Sequence, residues 1–320
     1  MAVPITCLTT SYNEAQRIEA MILAALPWAD EIVLIDKSST DGTPEIAKRL
    51  SPKVRVISRP YSPKGDDDFL AYIEYPKHDW IFILTCSEIP TRKVIEEAQR
   101  LLNNQEDAVD VIYVPRRMFS LGINQPGSPW YVCHYPFLFH RRRAIVQNLV
   151  HDNIHPRDPK RSARIPYQEN CCVYHFTHPT VREMMLSFVT YAELESTKPS
   201  NLSPHKAIRS SLKNIQRAML SIGKINGDWI PALCGWAIYW LMTALYQWEK
   251  HKGYDVPSLY AQWRTNLLKN EWQDPKPTPP GIHPPQSPFR LKAWQRALVA
   301  AIQLPYYLGK WLQAKSPQKE

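Results

Sequence analysis

Short apolar runs alternate with amphipathic stretches through the first half of the chain. The runs are rich in β-branched side chains, have the length of strands, and fall at residues 3–10, 31–36, 53–58, 80–85 and 110–114. Between these runs, apolar residues recur every three or four positions, as on one face of a helix. The alternation predicts an α/β fold with a mostly parallel sheet flanked by helices.

Local signals predict where the helices between these strands begin. Ser11 and Glu14 have the spacing of a capping box, which indicates the start of the first helix. Thr43 is the predicted N-cap of the second helix, because Pro44 would then occupy its first position. A third helix is predicted over residues 92–103, where the apolar residues stay on one face.

Polar side chains follow the carboxyl ends of three predicted strands. Ligands of open α/β sheets bind at such ends, so these side chains are candidates for a site. Neither GxGxxG nor GxxxxGK[ST] occurs there, which argues against a dinucleotide fold and a P-loop. The candidates are Thr10, Tyr12, Asn13 and Glu14 after the first strand, Asp36 after the second, and Ser87 and Glu88 after the fourth.

The composition shows that the protein is basic overall. The 320 residues are 44% hydrophobic and 22% charged, as in an ordinary globular protein. The formal net charge of +9 favours phosphate-bearing partners or an anionic membrane surface. Basic residues do not interleave with aromatic residues in any strand, and no helix-turn-helix pattern occurs, so nucleic acid is not an expected partner.

The cysteines and the first residues of the sequence predict the cellular compartment of the protein. The six cysteines form no CxxC pair and are expected to be reduced thiols of a cytoplasmic protein. The sequence MAVPITCLTTSYNEAQ has no basic region followed by a long apolar run, so no signal peptide is expected.

The stretch TTSYNEAQRIEAMILAALPWADEIVLIDKSSTDGTPEIAKRL, residues 9–50, resembles the opening of family 2 glycosyltransferases. It is most similar to the branch that adds sugars to lipopolysaccharide cores and similar glycans. The resemblance covers residues 3–115 and continues more weakly through VPRRMFSLG (114–122), LVHDNIH (149–155) and 173–195. It implies a GT-A fold and an inverting transfer from a nucleotide-sugar donor to a lipid-linked or cell-envelope glycan.

The resemblance also implies roles for matching residues. Tyr12, Asn13 and Glu14 would lie by the nucleotide, with Thr10 and Ser87 also contacting the nucleotide-sugar. Asp36 would contact the base or ribose, although a plain turn-forming role before Ser38 remains open. Asp152, within the VHD stretch, would take the proton from the acceptor hydroxyl. A structural alternative is that Asp152 only fixes its loop.

The segment DWIFILTCSEIP departs from the family pattern at its metal motif. Thr85 and Ser87 stand where the two aspartates of the Asp-x-Asp motif belong, and only Glu88 matches. Three interpretations remain open. Glu88 holds Mg²⁺ or Mn²⁺ with waters and phosphates, cationic side chains replace the ion, or catalysis has been lost. The candidate cations are Lys37, Lys64, Arg116 and Arg117.

Other departures from the family pattern, and one alternative function, have weaker support. Cys133 stands where relatives often carry an Asp, and GDDDF (65–69) is acidic, which suits a helix start more than a substitute metal site. The HDNIH stretch (151–155) has the spacing of a zinc-protease motif, but that motif requires a helix, and Pro156 follows at once.

The second half is expected to attach the enzyme to a membrane surface. We expect a catalytic domain over 1–200, a helical region over 201–273, a proline-rich linker over 274–288, and a basic amphipathic helix over 289–320. Residues 229–248 carry no charge, and three placements stay open: an interfacial helix, a buried helix or a membrane span. The expected location is cytoplasmic, peripheral at the inner face of the cell membrane.

Overall fold

The computed structural model divides the chain into two compact units, Met1–Gly253 and Tyr254–Glu320. The predicted linker 274–288 and helix 289–320 lie outside the described residues. Described are residues 3–62, 69–105, 108–124, 126, 128, 131–147, 153–197, 204–221 and 230–252 of the first unit, and 261, 264, 265, 268 and 269 of the second.

One mixed sheet forms the centre of the first unit. Its strands follow the order β3-β2-β1-β4-β7-β6-β11-β5, with β10 also pairing with β6, and a separate hairpin joins β8 to β9. The expected α/β architecture is confirmed. The strands are β1 (Ile5–Ser11), β2 (Glu31–Asp36), β3 (Val54–Ser58), β4 (Trp80–Ile83), β5 (Glu88–Pro90), β6 (Val111–Ser120), β7 (Val132–His140), β8 (Ala144–Val146), β9 (Ile154–Pro156), β10 (Ser162–Arg164) and β11 (Val173–Thr177).

The first four strands are parallel, and the register aligns the carboxyl ends of β1, β2 and β3, whereas β4 ends at Ile83, opposite Leu8. Strands β1, β2 and β4 are buried on both faces, which explains their continuous apolar sequences. Ser11 lies opposite Asp36, and Asp36 lies opposite Ser58. Strand β7 then runs antiparallel to β4 and to β6.

Helices cover the sheet and extend the chain beyond it. One core cluster, including Ile22 and Phe82, lies on one side of β1, and a second, including Leu8 and Phe139, lies on the other. The helices are α1 (Ile18–Ala25), α2 (Thr43–Leu50), α3 (Phe69–Tyr72), α4 (Arg92–Gln105), α5 (Val181–Glu195), α6 (Pro204–Ser221) and α7 (Ile230–Lys252).

The capping-box prediction for the first helix is wrong. Ser11 ends β1, and α1 begins only at Ile18. The Glu14 carbonyl accepts the amides of Arg17 and Ile18, so a turn separates strand from helix. The second helix differs by one residue, because Gly42 is the N-cap and Thr43 is the first helical residue. The third helix, α4, begins where it was predicted.

Helices α5 and α7 form a separate apolar cluster. Met184 and Phe188 of α5 are buried against Tyr239 of α7. Gly235 permits this approach, because a Cβ there would lie 2.9 Å from the Met184 sulfur. Across the described part of the chain, no helix combines the length and apolar character that crossing a membrane requires.

Candidate functional site

The carboxyl ends of β1, β2 and β4 meet at one edge of the sheet. The Lys37 amide donates to the Ser11 carbonyl at 2.8 Å, so β1 and β2 stay paired to their ends. On the other side of β1, the Leu84 amide donates to the Leu8 carbonyl at 3.1 Å. The polar residues that follow these strands therefore lie at a common edge of the sheet.

The Asp36 side chain is buried at this edge, where β2 ends. The whole residue is 2% exposed. The Ser11 hydroxyl donates to one carboxylate oxygen at 3.1 Å, and the Ser39 amide donates to the other at 3.1 Å. Each oxygen keeps a further lone pair for a ligand. Ser11 was missed as a partner, because its spacing from Glu14 suggested a helix cap instead.

The loop after β1 is tied to the loop after β2. The Asn13 side-chain carbonyl accepts the Thr40 amide at 2.9 Å, and the Asn13 amide donates to the Ser39 hydroxyl at 2.9 Å. The Glu14 amide donates to Thr43 Oγ1 at 2.8 Å. We call residues 12–15 with residues 39–43 the loop clamp. It fixes the two loops that flank Asp36, and Asn13 is one of its members rather than a free side chain.

Left-handed backbone conformations shape the loop clamp. Asn13 has a φ of 55° and Gly42 a φ of 88°. Asparagine tolerates this region better than most residues, and glycine adopts it without strain. Asp41 completes the clamp by accepting the Ala15 amide at 2.9 Å and the Thr43 amide at 3.1 Å. Burial opposes the charge of Asp41, but a hydrogen bond from the Thr43 hydroxyl and these two amide hydrogen bonds outweigh it and lower the pKa of Asp41.

Two exposed tyrosines stand above this edge. Tyr12 is 44% exposed and Tyr61, which follows β3, is 55% exposed. Their ring centroids lie 4.3 Å apart with an interplanar angle of 47°. Exposed aromatic faces are surfaces on which a nucleobase can stack. Tyr61 was not among the predicted site residues, because no strand pattern placed it beside Tyr12.

Glu14 is held by a neighbouring guanidinium. Arg17 Nε donates to one Glu14 oxygen at 2.6 Å, and another Arg17 nitrogen donates to the second oxygen at 2.8 Å. Burial raises the pKa of Glu14, and the Arg17 contact only partly opposes this effect. Glu14 is thus half-buried beside the edge and already paired.

The turn after β4 presents two hydroxyl groups. Thr85 and Ser87 are half-buried, whereas Cys86 and Glu88 between and after them are buried. Thr85 Oγ1 lies 3.1 Å from Ser87 Oγ. The Cys86 thiol points inward to the Thr10 carbonyl at 3.5 Å, which places half-buried Thr10 against this turn. The two positions that match the family's aspartates are therefore the two of residues 85–88 that stay partly accessible to solvent.

Glu88 points the other way, into the protein. It is 2% exposed, and one carboxylate oxygen accepts the Thr85 amide at 2.8 Å. The other accepts Arg116 Nη1 at 3.3 Å. His175 lies 3.8 Å from the same oxygen, and burial lowers its pKa well below the usual value, which leaves the imidazole neutral near pH 7. His175 is thus a packed, neutral histidine.

Arg116 extends this buried group toward β9. Its guanidinium lies 4.9 Å from the Tyr135 ring centroid, a cation–π distance. Burial opposes the Arg116 charge, but Cys133 and Glu88 outweigh it and raise the pKa, so Arg116 stays charged. The Tyr135 hydroxyl in turn exchanges hydrogen bonds with Asn153 at 3.2 and 3.0 Å. Arg116 was a sequence candidate, but its pairing with Glu88 was not foreseen.

The residues of the turn do not fit a divalent cation. Hard cations prefer carboxylate oxygens, and the half-buried positions 85 and 87 carry hydroxyls. The carboxylate of this turn, Glu88, already accepts hydrogen bonds from Thr85 and Arg116. Within the described ranges, no three His, Cys, Asp or Glu side chains are grouped so that they could hold a metal ion.

Some predicted residues cannot be placed. Asp152, His151 and Lys64 lie outside the described residues, as do residues 65–68 of the GDDDF stretch. Of the other candidate cations, Lys37 is buried, and Arg117 donates to Glu169 and Asn124. The zinc-protease alternative is wrong, because Ile154–Pro156 is a strand, whereas its motif requires a helix.

Comparison with known proteins finds similarity to glycosyltransferases. Residues 6–158 match the model of the family described as "Glycosyl transferase family 2". A curated relative, an "Uncharacterized glycosyltransferase" of Rickettsia bellii (strain RML369-C), is 24% identical over 213 residues, which are 62% of this chain and 70% of the relative.

Solved structures show more distant likeness. S. aureus TarS is 13% identical with a TM-score of 0.41, and the alignment covers 80% of this chain but only 54% of TarS. The mannosyltransferase PcManGT from Pyrobaculum calidifontis, solved with GDP-Man and Mn²⁺, is 14% identical with a TM-score of 0.42, covering 84% of this chain and 81% of that one. The match over residues 6–158 shows that this part of the chain is similar to glycosyl transferase family 2 domains, which indicates a glycosyltransferase.

Proposed function

We propose that the protein transfers a sugar, with inversion, from a nucleotide-sugar donor to a lipid-linked or cell-envelope glycan. The nucleotide lies at the edge formed by β1, β2 and β4. Asp36 accepts hydrogen bonds from the base or ribose, and Tyr12 stacks on the base. The diphosphate reaches the turn of Thr85 and Ser87, next to Thr10.

A single observation carries this proposal. Three features follow adjacent strands at one sheet edge: a buried carboxylate, an exposed aromatic pair and two half-buried hydroxyl residues. They are Asp36, Tyr12 with Tyr61, and Thr85 with Ser87. Asn13 and Glu14 support this arrangement through the loop clamp. A nucleoside diphosphate carries a base that can stack, hydrogen-bond donors on its base and ribose, and phosphate oxygens, in the same spatial order.

The proposed base is Asp152. Its neighbour Asn153 is buried and bonded to Tyr135, on which the Arg116 guanidinium lies. In the transfer, the acceptor oxygen bonds to the anomeric carbon as the bond to the diphosphate breaks. The electron pair leaves with the nucleoside diphosphate, and Asp152 takes the acceptor proton.

Attachment to an anionic membrane surface is part of the proposal. Helix α7 exposes Ile238, Trp240 and Leu245, which suit the lipid interface. Helix α6 packs against α7 and has basic but no acidic residues. Its basic side chains recur at Lys206, Arg209, Lys213 and Arg217.

Cosedimentation with vesicles tests the membrane surface. Full-length protein should pellet with phosphatidylglycerol vesicles and much less with phosphatidylcholine vesicles. Replacing Lys206, Arg209 and Lys213 by Gln should weaken binding by about fivefold per charge. Arg142→Gln, which removes one exposed charge near β8, is the control. Equal binding to both vesicle types would contradict the attachment.

A thermal shift screen tests the nucleotide site. UDP-, GDP- and dTDP-sugars are each added to the wild type, and we expect one of them to raise the melting temperature. Asp36→Ala should abolish the shift. Asp30→Ala is the matched control, because Asp30 precedes the same strand at its other end and binds the Ile5 amide. A shift that survives Asp36→Ala unchanged would contradict the nucleotide assignment.

A second candidate is a protein that binds nucleotide-sugar without turnover. The observation that favours it is the replacement of both family aspartates by Thr85 and Ser87. Product formation from the nucleotide-sugar that gives the largest shift separates the two. Transfer or hydrolysis that Asp152→Asn abolishes supports the enzyme, whereas binding without product supports the second candidate.

A further inference from the structure

We infer that the donor site works without a divalent cation, and that the hydroxyls of Thr85 and Ser87 bind the donor diphosphate directly. This inference rests on the proposed function, since it concerns the same donor. In this inference the hydroxyls of Thr85 and Ser87, instead of a divalent cation, orient the diphosphate.

The accessibility of the two hydroxyls is the first support. Thr85 and Ser87 are half-buried and so partly accessible to solvent, while Cys86 and Glu88 are buried. Their hydroxyl oxygens lie 3.1 Å apart. If one hydroxyl donates to the other, the second still has a proton for a phosphate oxygen. A carboxylate at either position could only accept, so it would need an ion between itself and the phosphate.

Formal charge is the second support. Two aspartates carry −2, which a divalent cation of +2 cancels. Two hydroxyls carry no charge, so the same balance is reached with no ion. The remaining acid, Glu88, is balanced by the Arg116 guanidinium at 3.3 Å. The diphosphate therefore contacts a turn of the same net charge whether these positions carry two aspartates with a divalent cation or two hydroxyls without one.

The rigidity of the turn is the third support. The Glu88 carboxylate holds the Thr85 amide at 2.8 Å, and the Ser87 carbonyl accepts the Phe176 amide of β11 at 2.9 Å. The Cys86 thiol is anchored on the Thr10 carbonyl. Each residue of the turn is thus fixed by a different neighbour, and the two hydroxyls keep their positions without a metal ion to gather them.

Positive charge is also available on this side of the sheet. The Arg116 guanidinium lies 3.3 Å from the Glu88 carboxylate, which follows Ser87 directly. Arg17 is exposed and pairs with Glu14. An exposed guanidinium can reorient toward a diphosphate and bind two of its oxygens.

Calorimetric titration of UDP, GDP and dTDP tests the inference. Each is titrated into the full-length protein in EDTA, then in Mn²⁺ and in Mg²⁺. We expect one nucleotide to bind with affinities that agree within about twofold in the three buffers. Binding only with an ion would overturn the inference and leave the proposed function intact. No binding in any buffer would overturn both.

Variants of the two hydroxyls sharpen the test. Thr85→Ala and Ser87→Ala should each weaken binding in EDTA by about three- to tenfold, the usual effect of one hydrogen bond. Thr190→Ala, which removes a hydroxyl from the exposed face of α5, should have no effect. Unchanged affinity of both site variants would overturn the direct contact.

The converse substitution should create the missing ion site. In the double variant Thr85→Asp with Ser87→Asp, nucleotide binding should become dependent on Mn²⁺, because two carboxylates now face the diphosphate. The spectrum of Mn²⁺ alone, measured by electron paramagnetic resonance, should change with this variant and stay that of the free ion with the wild type. A wild type that binds Mn²⁺ tightly without nucleotide would contradict the inference.

Discussion

Glu88 and Arg116 form a largely buried ion pair beneath the turn that faces the donor. Removing one partner of such a pair leaves an unbalanced charge in the interior. We expect Glu88→Gln and Arg116→Met each to lower the free energy of unfolding by about 3–5 kcal/mol. Urea unfolding measures this change.

The double variant is the control for this prediction. With both charges removed, no group is left uncompensated, so the combined loss should be clearly smaller than the sum of the two single losses. Additive losses would show that the side chains act independently and would contradict the pairing.

Single residues also show where the sequence stops being informative. Tyr12 and Asp36 could be placed at one edge, because both follow apolar strands directly. The Glu88–Arg116 contact could not, because it joins residues on β5 and β6, which are not neighbours in the sheet and are both reached through β11. Ser11 was assigned to a helix, because Ser-x-x-Glu occurs at caps whether or not the chain is still extended.

At the scale of elements, Gly42 sets the entry into α2 with a φ of 88°. A Cβ there would meet nothing within 4 Å, so Gly42→Ala adds backbone strain without a clash. We expect a loss of about 1 kcal/mol or more in unfolding free energy and weaker nucleotide binding, because the loop clamp flanks Asp36.

Gly122→Ala is the matched control for this substitution. Gly122 has a φ of 75° and equally open surroundings, but it follows β6 outside the loop clamp. It should lose similar stability and bind nucleotide normally. Equal binding by the two variants would contradict a role for the loop clamp in the site.

Element type was predictable where one pattern dominated. The first four strands and α4 follow the sequence closely, since each buries a continuous apolar run or one apolar face. The antiparallel return through β7, and the pairing of β11 with both β5 and β6, depend on contacts between segments far apart in sequence. No local pattern encodes these contacts.

At the scale of the whole molecule, acid should destabilise the fold. Asp110 is buried and accepts two hydrogen bonds from Arg161, at 2.8 and 2.9 Å, which lower its pKa. A carboxylate with a lowered pKa stabilises the fold above the unfolded value of about 3.9. This stability is lost as the pH falls from there through the folded value.

Unfolding by urea at a series of pH values checks this sign. The wild type should lose stability steeply below about pH 4, whereas Asp110→Asn should start less stable and show a shallower dependence. A variant with the same dependence as the wild type would show that Asp110 is not the group responsible.

The central claim is that a nucleoside diphosphate binds where β1, β2 and β4 end. The most direct measurement is a crystal structure with the nucleotide that gives the largest thermal shift. We predict its base or ribose within hydrogen-bond distance of Asp36 and its phosphates against Thr85 and Ser87. A nucleotide bound elsewhere on the protein, with this edge unchanged, would contradict the account.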